Sequence, residues 1–130
     1  LTFQGIEAKA RYHGTPVEEA LPVLISPHDD RVEAPEGAAP RVAMKGHAIV
    51  AGLGGRWPSL LGYNRIMAKP EADVVVTAGG DPLIVAGHFG KGRSVAFASD
   101  CGPHWAPPAF VEWKGYAPLW RQIAGWASGI

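Results

Sequence analysis

Short apolar runs separated by glycine- and proline-rich turns dominate the middle of the chain. Their length and β-branched content are typical of strands, which the pattern predicts at residues 63–68, 73–78, 82–88 and 93–99. The connections are Lys69-Pro70, Gly79-Gly80-Asp81 and Gly90-Lys91-Gly92. Because they are too short to hold a crossover helix, these strands are predicted to be at least partly antiparallel and to form a β-meander.

A helical period replaces this pattern near the carboxyl end. Apolar side chains recur three and four positions apart, and Trp113 extends the stripe backward. The stripe consists of Tyr116, Leu119, Trp120, Ile123, Ala124 and Ala127. The pattern predicts an amphipathic helix that docks on a sheet, with its aromatic residues packed in the core.

The amino-terminal part has weaker signals. Thr15-Pro16-Val17-Glu18 indicates a short helix with Thr15 as its cap and Glu18 at the capping-box position. Residues 21–26 are predicted to form a strand, and residues 27–40 a long polar, proline-rich loop. Residues 46–55 are predicted to be a turn-rich connector with one helical turn at 48–53.

Composition limits the class of protein. The chain has 130 residues, is 47% hydrophobic, and balances twelve basic with twelve acidic residues, so we expect one domain with a single core. It has no Lys/Arg run that would indicate nucleic-acid binding and no apolar stretch of about 20 residues that would cross a membrane. We expect a soluble protein that binds a small molecule or another protein. Cys101 is the only cysteine, which excludes an internal disulfide and favours the cytoplasm.

A cluster of polar and reactive side chains follows the last predicted strand. Sites in α/β sheets are commonly built just past the carboxyl end of a strand, so function is sought first at residues 99–105. Cys101 is a possible nucleophile, but Ser99 and Pro103 replace the small residues of a nucleophile elbow. We therefore expect Cys101 to be a small buried thiol that contributes to binding, as do Ser99 and Trp105.

The catalytic prediction concerns His104 and Asp100. An imidazole changes charge near neutral pH, so His104 can act as a general base or a ligand, and Asp100 can orient it. The structural alternatives are a loop histidine held by hydrogen bonds and an aspartate that caps the loop after the strand. Both alternatives stay open from the sequence.

No metal or cofactor is predicted. His28-Asp29-Asp30 has suitable ligand chemistry, but no second cluster completes a coordination shell, so a solvated loop is favoured. The glycines around residues 87–92 match neither of the common phosphate-binding motifs, and their place in a hairpin explains them.

The chain resembles the glutamine amidotransferase-like family, a branch of the class I glutamine amidotransferase superfamily, and is similar to the trehalose-utilisation-like proteins. The matching segments are Phe3-Gln4-Gly5-Ile6 and residues 9–19, Leu61-Gly62-Tyr63-Asn64-Arg65, Gly90-Lys91-Gly92-Arg93, residues 99–105 and residues 113–126. The resemblance implies an α/β, flavodoxin-like domain of which residues 1–130 form the carboxyl-terminal part, a single partial domain. Residues 93–99 would belong to the late part of its sheet.

The resemblance also implies a mechanism. Class I glutaminases use a cysteine on an elbow, which here would lie upstream of Leu1, then a histidine and a glutamate in the order His-Pro-Glu. His104 is the positional match to that histidine, but Trp105-Ala106 follows it, and the nearest downstream carboxylate is Glu112. This departure weakens the implication of glutaminase activity.

Two hypotheses follow for the function. One is a noncatalytic binding or assembly domain that keeps the fold but lacks a complete glutaminase site. The other is an amidotransferase or related hydrolase in which His104 is the base, Asp100 orients it, and the missing half supplies the nucleophile. Because half a sheet exposes a strand edge, we also expect association into a homo-oligomer or with the missing half.

Overall fold

The computed structural model describes residues 10–129. Within them the chain forms eight strands, three α-helices and one 3₁₀ turn at Ala48–Val50. The strands are β1 (Val23–Leu24), β2 (Arg31–Ala38), β3 (Arg41–Val42), β4 (Leu60–Asn64), β5 (Met67–Ala68), β6 (Asp73–Ala78), β7 (Asp81–Phe89) and β8 (Gly92–Phe97). The helices are α1 (Pro16–Ala20), α2 (Pro108–Val111) and α3 (Tyr116–Ser128).

Three of the four strands predicted to form a meander, β6, β7 and β8, belong to the largest sheet of the described residues, and β3 takes the remaining place. The strands of this sheet lie in the order β3-β6-β7-β8 and every pairing is antiparallel. Tight turns join β6 to β7 and β7 to β8, and Gly79, Gly80 and Gly90 have the positive φ that such turns require. Leu83, Ile84 and the other central residues of β7 are fully buried, because the strand has neighbours on both sides.

The prediction of a loop over residues 27–40 was wrong. Most of this segment is β2, which pairs with β4 in an antiparallel ribbon. Proline usually argues against a strand, but Pro35 lies where the register between Glu33 and Ala38 is irregular, so its missing N–H costs no regular ladder bond. Ala34 and Ala38 are buried while Glu33 is exposed, a pattern that the proline-rich composition concealed.

The segment predicted as one strand at residues 63–68 is instead two short strands. β4 pairs with β2, and β5 pairs with β1, which is itself shorter than the predicted 21–26. The two pairs lie in separate sheets, so the chain changes partner at Arg65 and Ile66. A sequence pattern gives strand propensity but does not identify the partner.

Helix α1 begins as predicted, although its cap differs. Thr15 is the N-cap residue, but its hydroxyl donates to the Tyr12 carbonyl instead of accepting a helix N–H. The Glu18 carboxylate accepts the N–H of Gly14 at 3.1 Å and that of Ile25 at 2.6 Å. Glu18 thus joins the helix to β1 and does not complete a capping box.

Helix α3 covers the sheet, which confirms the prediction of a carboxyl-terminal amphipathic helix on an α/β fold. Leu119 is fully buried, and Trp120 meets Phe97 of β8 edge-on with ring centroids 4.9 Å apart. Ala124 is the exception in the predicted stripe, because it is exposed. None of the helices in residues 10–129 has the length and apolar character needed to cross a membrane.

Candidate functional site

The segment after β8 is attached to β4 by three hydrogen bonds. The N–H groups of Asn64 and Leu61 donate to the carbonyls of Ala98 at 2.7 Å and Trp105 at 2.8 Å. The Ser99 hydroxyl donates to the Gly62 carbonyl at 2.7 Å. Residues 98–105 therefore form a loop that begins and ends on one strand, and this loop carries every site residue predicted from the sequence.

Trp105 is the buried centre of this loop. Only 2% of the residue is exposed, and its indole lies against Gly62, where an added Cβ would fall 2.6 Å from Cδ1 and 2.5 Å from Cε2. The indole N–H donates to Glu33 Oε2 at 3.1 Å, across the ribbon pair in which Glu33 stands opposite Gly62. Because glycine has no side chain, position 62 leaves the space through which the Trp105 indole reaches β2.

His104 and Asp100 come together as predicted. Nδ1 of His104 lies 3.2 Å from Oδ2 of Asp100, and the same oxygen accepts the backbone N–H of Trp105 at 3.2 Å. The imidazole stacks on the Trp105 ring with centroids 5.5 Å apart and 28° between planes. With Nδ1 engaged, Nε2 is the atom that His104 offers to a ligand.

The backbone of His104 is strained. Its φ is 121°, in a region that residues with a side chain rarely adopt. Its side chain is 70% exposed, whereas that of Asp100 is 18% exposed. A strained residue whose side chain is held by a buried tryptophan and a carboxylate, yet faces outward, is typical of a functional position.

The Asp100 carboxylate is stabilised in its charged form. Burial acts to raise its pKa, but hydrogen bonds to the carboxylate, including those from the Trp105 amide and the His104 ring, hold the pKa below its ordinary value. Asp100 is therefore ionised at neutral pH and provides a permanent acceptor for His104.

Ser99 and Cys101 differ from each other in exposure. Ser99 is 7% exposed and its hydroxyl is used in the contact with β4. The prediction of a buried Cys101 was wrong, since the thiol is exposed at the loop surface. The Cys101 carbonyl accepts a hydrogen bond from the Tyr116 hydroxyl, which joins the backbone of the loop to α3. Within residues 10–129, no hydrogen bond joins Cys101 to His104.

Three polar residues, Glu33, Asp30 and Asn64, were not predicted to lie next to this loop. Glu33 was hidden in the supposed proline-rich loop, although alternation of Val32, Glu33 and Ala34 is a strand signal. Asp30 and Asn64 are buried to 3% and 0% exposure, and the Asn64 amide donates to Asp30 Oδ1 at 3.0 Å. No sequence signal joins two residues so far apart in the chain.

The described residues contain no group of three or more side chains that could hold a metal ion. In the His28-Asp29-Asp30 segment, Arg31 binds both carboxylate oxygens of Asp29, at 3.1 and 3.2 Å. The Asp29 carboxylate is therefore engaged by the Arg31 guanidinium.

Comparison with known proteins identifies the class to which this loop and sheet belong. A family model described as "Putative glutamine amidotransferase" matches residues 1–129. A search of curated proteins gave no match.

Two solved structures are similar to the chain. The cytoplasmic protein STM3548 of Salmonella typhimurium is 42% identical, with a TM-score of 0.92 over 96% of this chain and 50% of its own. The cytoplasmic protein STM1381 of Salmonella typhimurium LT2 is 43% identical, with a TM-score of 0.92 over 96% of this chain and 51% of its own. The chain thus spans about half the length of each.

Proposed function

The chain belongs to the glutamine amidotransferase-like family, whose flavodoxin-like fold fits its α/β architecture, and we propose that its His104–Asp100 pair forms one wall of a small-molecule binding pocket. We further propose that residues 10–129 do not by themselves contain a complete glutaminase centre. The observation that carries the proposal is the exposed, strained His104, held by Asp100 at 3.2 Å and stacked on Trp105.

The ligand class follows from the chemistry of the exposed ring. When Nδ1–H donates to Asp100, the imidazole presents Nε2 as an acceptor, and on protonation as a donor. A carboxamide offers both a donor and an acceptor, and glutamine is the amide that the family description implies. We therefore propose a small carboxamide as the ligand of His104.

The absence of an activated nucleophile argues against catalysis by these residues alone. A cysteine nucleophile needs a base within hydrogen-bonding reach, and His104 makes its described contacts with Asp100 and Trp105 instead of Cys101. Glu112 ends α2 as its C-cap residue and makes no described hydrogen bond to His104. The carboxylate partner of the histidine is upstream of it, unlike the downstream glutamate of His-Pro-Glu.

An NMR titration tests this proposal. L-Glutamine, L-asparagine and acetamide are added separately to the 130-residue chain while the Cε1–H signals of all histidines are followed. We expect a saturable shift of the His104 signal with at least one amide. The exposed loop residue His28 is the internal control and should not move. If His104 does not shift with any of the three, or if His28 shifts equally, the proposal is wrong.

The His104–Asp100 contact also favours a second function, an amidotransferase or related hydrolase. In it His104 is the general base, Asp100 orients the ring, and the nucleophile comes from a segment equivalent to the unmatched half of the Salmonella proteins. A protein containing that segment should release ammonia from an amide. His104→Ala should then lower kcat/KM by about 10² to 10⁴. Absence of ammonia release from an amide panel would contradict this function.

For location and partners we propose a cytoplasmic protein that binds neither nucleic acid nor membrane. The location rests on the description of the two similar Salmonella proteins as cytoplasmic. We also propose self-association, because β8 is an outer strand of the four-stranded sheet and pairs only with β7 among the described residues. Sedimentation equilibrium of the chain should give a dimer or larger species, and a monomer at all concentrations would refute self-association.

A further inference from the structure

A groove separate from the His104 loop is lined by three cationic side chains. It has a volume of about 890 Å³ and lies between β3 and the loop of residues 52–56. Arg41, Lys45 and Arg56 line it, and no acidic residue does. We call it the basic groove. Its size lies within the range of small-molecule sites, about 300–1,000 Å³.

The charge of the basic groove is not neutralised by the described protein. No carboxylate of residues 10–129 forms an ion pair with Arg41, Lys45 or Arg56, whereas Arg31 pairs with Asp29. Because the whole chain has a formal net charge of zero, these three cations are a local excess and not part of a generally basic surface. Such a concave cationic surface attracts anions.

The loop beneath the groove is anchored to the core. Leu53 lines the groove and is 6% exposed, and its carbonyl accepts the Trp57 indole N–H at 3.0 Å. Trp57 is 2% exposed and packs against Trp113 with ring centroids 4.8 Å apart. The groove therefore has a fixed base, which lowers the entropic cost of binding a ligand.

The backbone of this loop is accessible. The N–H groups of Gly54, Gly55 and Arg56 donate to no acceptor among residues 10–129. At Gly54 an added Cβ would meet no atom within 4 Å, so the peptide borders open space. Successive free N–H groups beside cationic side chains are the donors that an oxyanion requires.

We propose that the basic groove binds a small organic or inorganic polyanion, a molecule with at least two phosphate or carboxylate groups. Arg41 and Arg56 contact its charged oxygens, Lys45 adds a third cation, and the N–H groups of residues 54–56 donate hydrogen bonds to one anionic group. Val42 and Val50 provide an apolar surface for the rest of the molecule. The sequence around this site contains no phosphate-binding motif, because the cations come from separate segments of the chain.

Isothermal titration calorimetry with the 130-residue chain tests the proposal, using pyrophosphate and citrate as probes at physiological salt. We expect saturable binding of at least one probe, with the stronger probe distinguishing phosphate from carboxylate recognition. Arg41→Gln and Arg56→Gln should each weaken binding about tenfold or more, because each removes a charge-assisted hydrogen bond.

Two further variants distinguish a specific binding site from general electrostatic attraction of anions to the protein. Lys91→Gln removes an exposed cation from the β7–β8 turn, outside the groove, and should leave the affinity unchanged. Gly54→Ala fits the free protein but places a methyl group where the ligand approaches the backbone, so it should weaken binding about tenfold. No saturable binding, or equal losses in Lys91→Gln and Arg41→Gln, would overturn the proposal. Tighter binding of a single-stranded oligonucleotide than of either probe would also overturn it.

Discussion

Replacement of Gly62 by alanine should displace Trp105 and weaken the fold. The added Cβ would lie 2.5 Å from Cε2 and 2.6 Å from Cδ1 of the indole, and closer still to Nε1. Non-bonded carbon atoms pack favourably at about 3.5–4.0 Å, so the ring must retreat by about 1 Å or more. Trp105 is only 2% exposed and has little room in which to move.

The size of the expected destabilisation follows from two effects, overpacking and the loss of a hydrogen bond. Overpacking of a well-packed site costs about 1–3 kcal/mol. The Trp105–Glu33 hydrogen bond, 3.1 Å long with a charged acceptor, is worth about 1.5–3 kcal/mol if the ring moves out of reach. These terms overlap, so we expect the free energy of unfolding to fall by about 2–5 kcal/mol. Since a domain is stable by about 5–15 kcal/mol, this is a large fraction of the total.

Urea unfolding followed by far-ultraviolet circular dichroism measures the change, and the indole N–H signal of Trp105 reports its environment by NMR. The matched control is Gly102→Ala, in the same loop, where an added Cβ meets nothing within 4 Å. We expect the control to lie within about 0.5 kcal/mol of the wild type. If Gly62→Ala is as stable as Gly102→Ala and the indole signal does not move, the position of Trp105 does not depend on Gly62.

Three further predictions concern groups around the sheet. Burial acts to raise the pKa of Glu18, but the N–H groups of Ile25 and Gly14 and the nearby His13 hold it below its ordinary value. Its stabilisation should therefore be complete above the unfolded pKa of about 4.3 and be lost as pH falls through the folded pKa. Glu18→Gln should lower stability to urea by about 1–3 kcal/mol near pH 7, a difference that disappears in acid, and a pH-independent difference would contradict this. Asp100→Asn should mix the two His104 tautomers, seen in the ring nitrogen shifts, and cost about 1 kcal/mol through the Trp105 N–H, whereas an unchanged tautomer would show that Asp100 does not orient the ring. Trp57→Phe removes the donor to Leu53, so urea unfolding should show a loss of about 1–3 kcal/mol and calorimetry a weaker binding of pyrophosphate, while unchanged affinity would show that the anchored loop is not required.

The sequence was most informative where the hydrophobic pattern is local. β6, β7 and β8 lie close to their predicted positions because short turns force neighbouring runs to pair, and α3 follows its apolar stripe. The same logic placed His104 and Asp100 at the end of a strand, four residues apart in a loop that brings them together. The local spacing of residues was sufficient to predict the positions of these elements.

Contacts between distant segments could not be predicted. The position of Trp105 depends on Gly62 and Glu33, which lie on two paired strands. Because the prolines of β2 masked its strand pattern, no local sequence signal predicted this contact. Cys101 is exposed, and the backbone of its loop is held by Tyr116, a residue on a different element. The basic groove likewise combines cations from separate segments.

We propose a binding role for His104 without a complete glutaminase centre in residues 10–129. The most direct test of this proposal is ammonia release from L-glutamine by the 130-residue chain, measured beside the Cys101→Ser variant. We expect no release above the buffer rate for either protein, while the His104 signal still shifts saturably with an amide. Ammonia release that the wild type shows and Cys101→Ser abolishes would contradict it, because Cys101 would then be a nucleophile of a complete site.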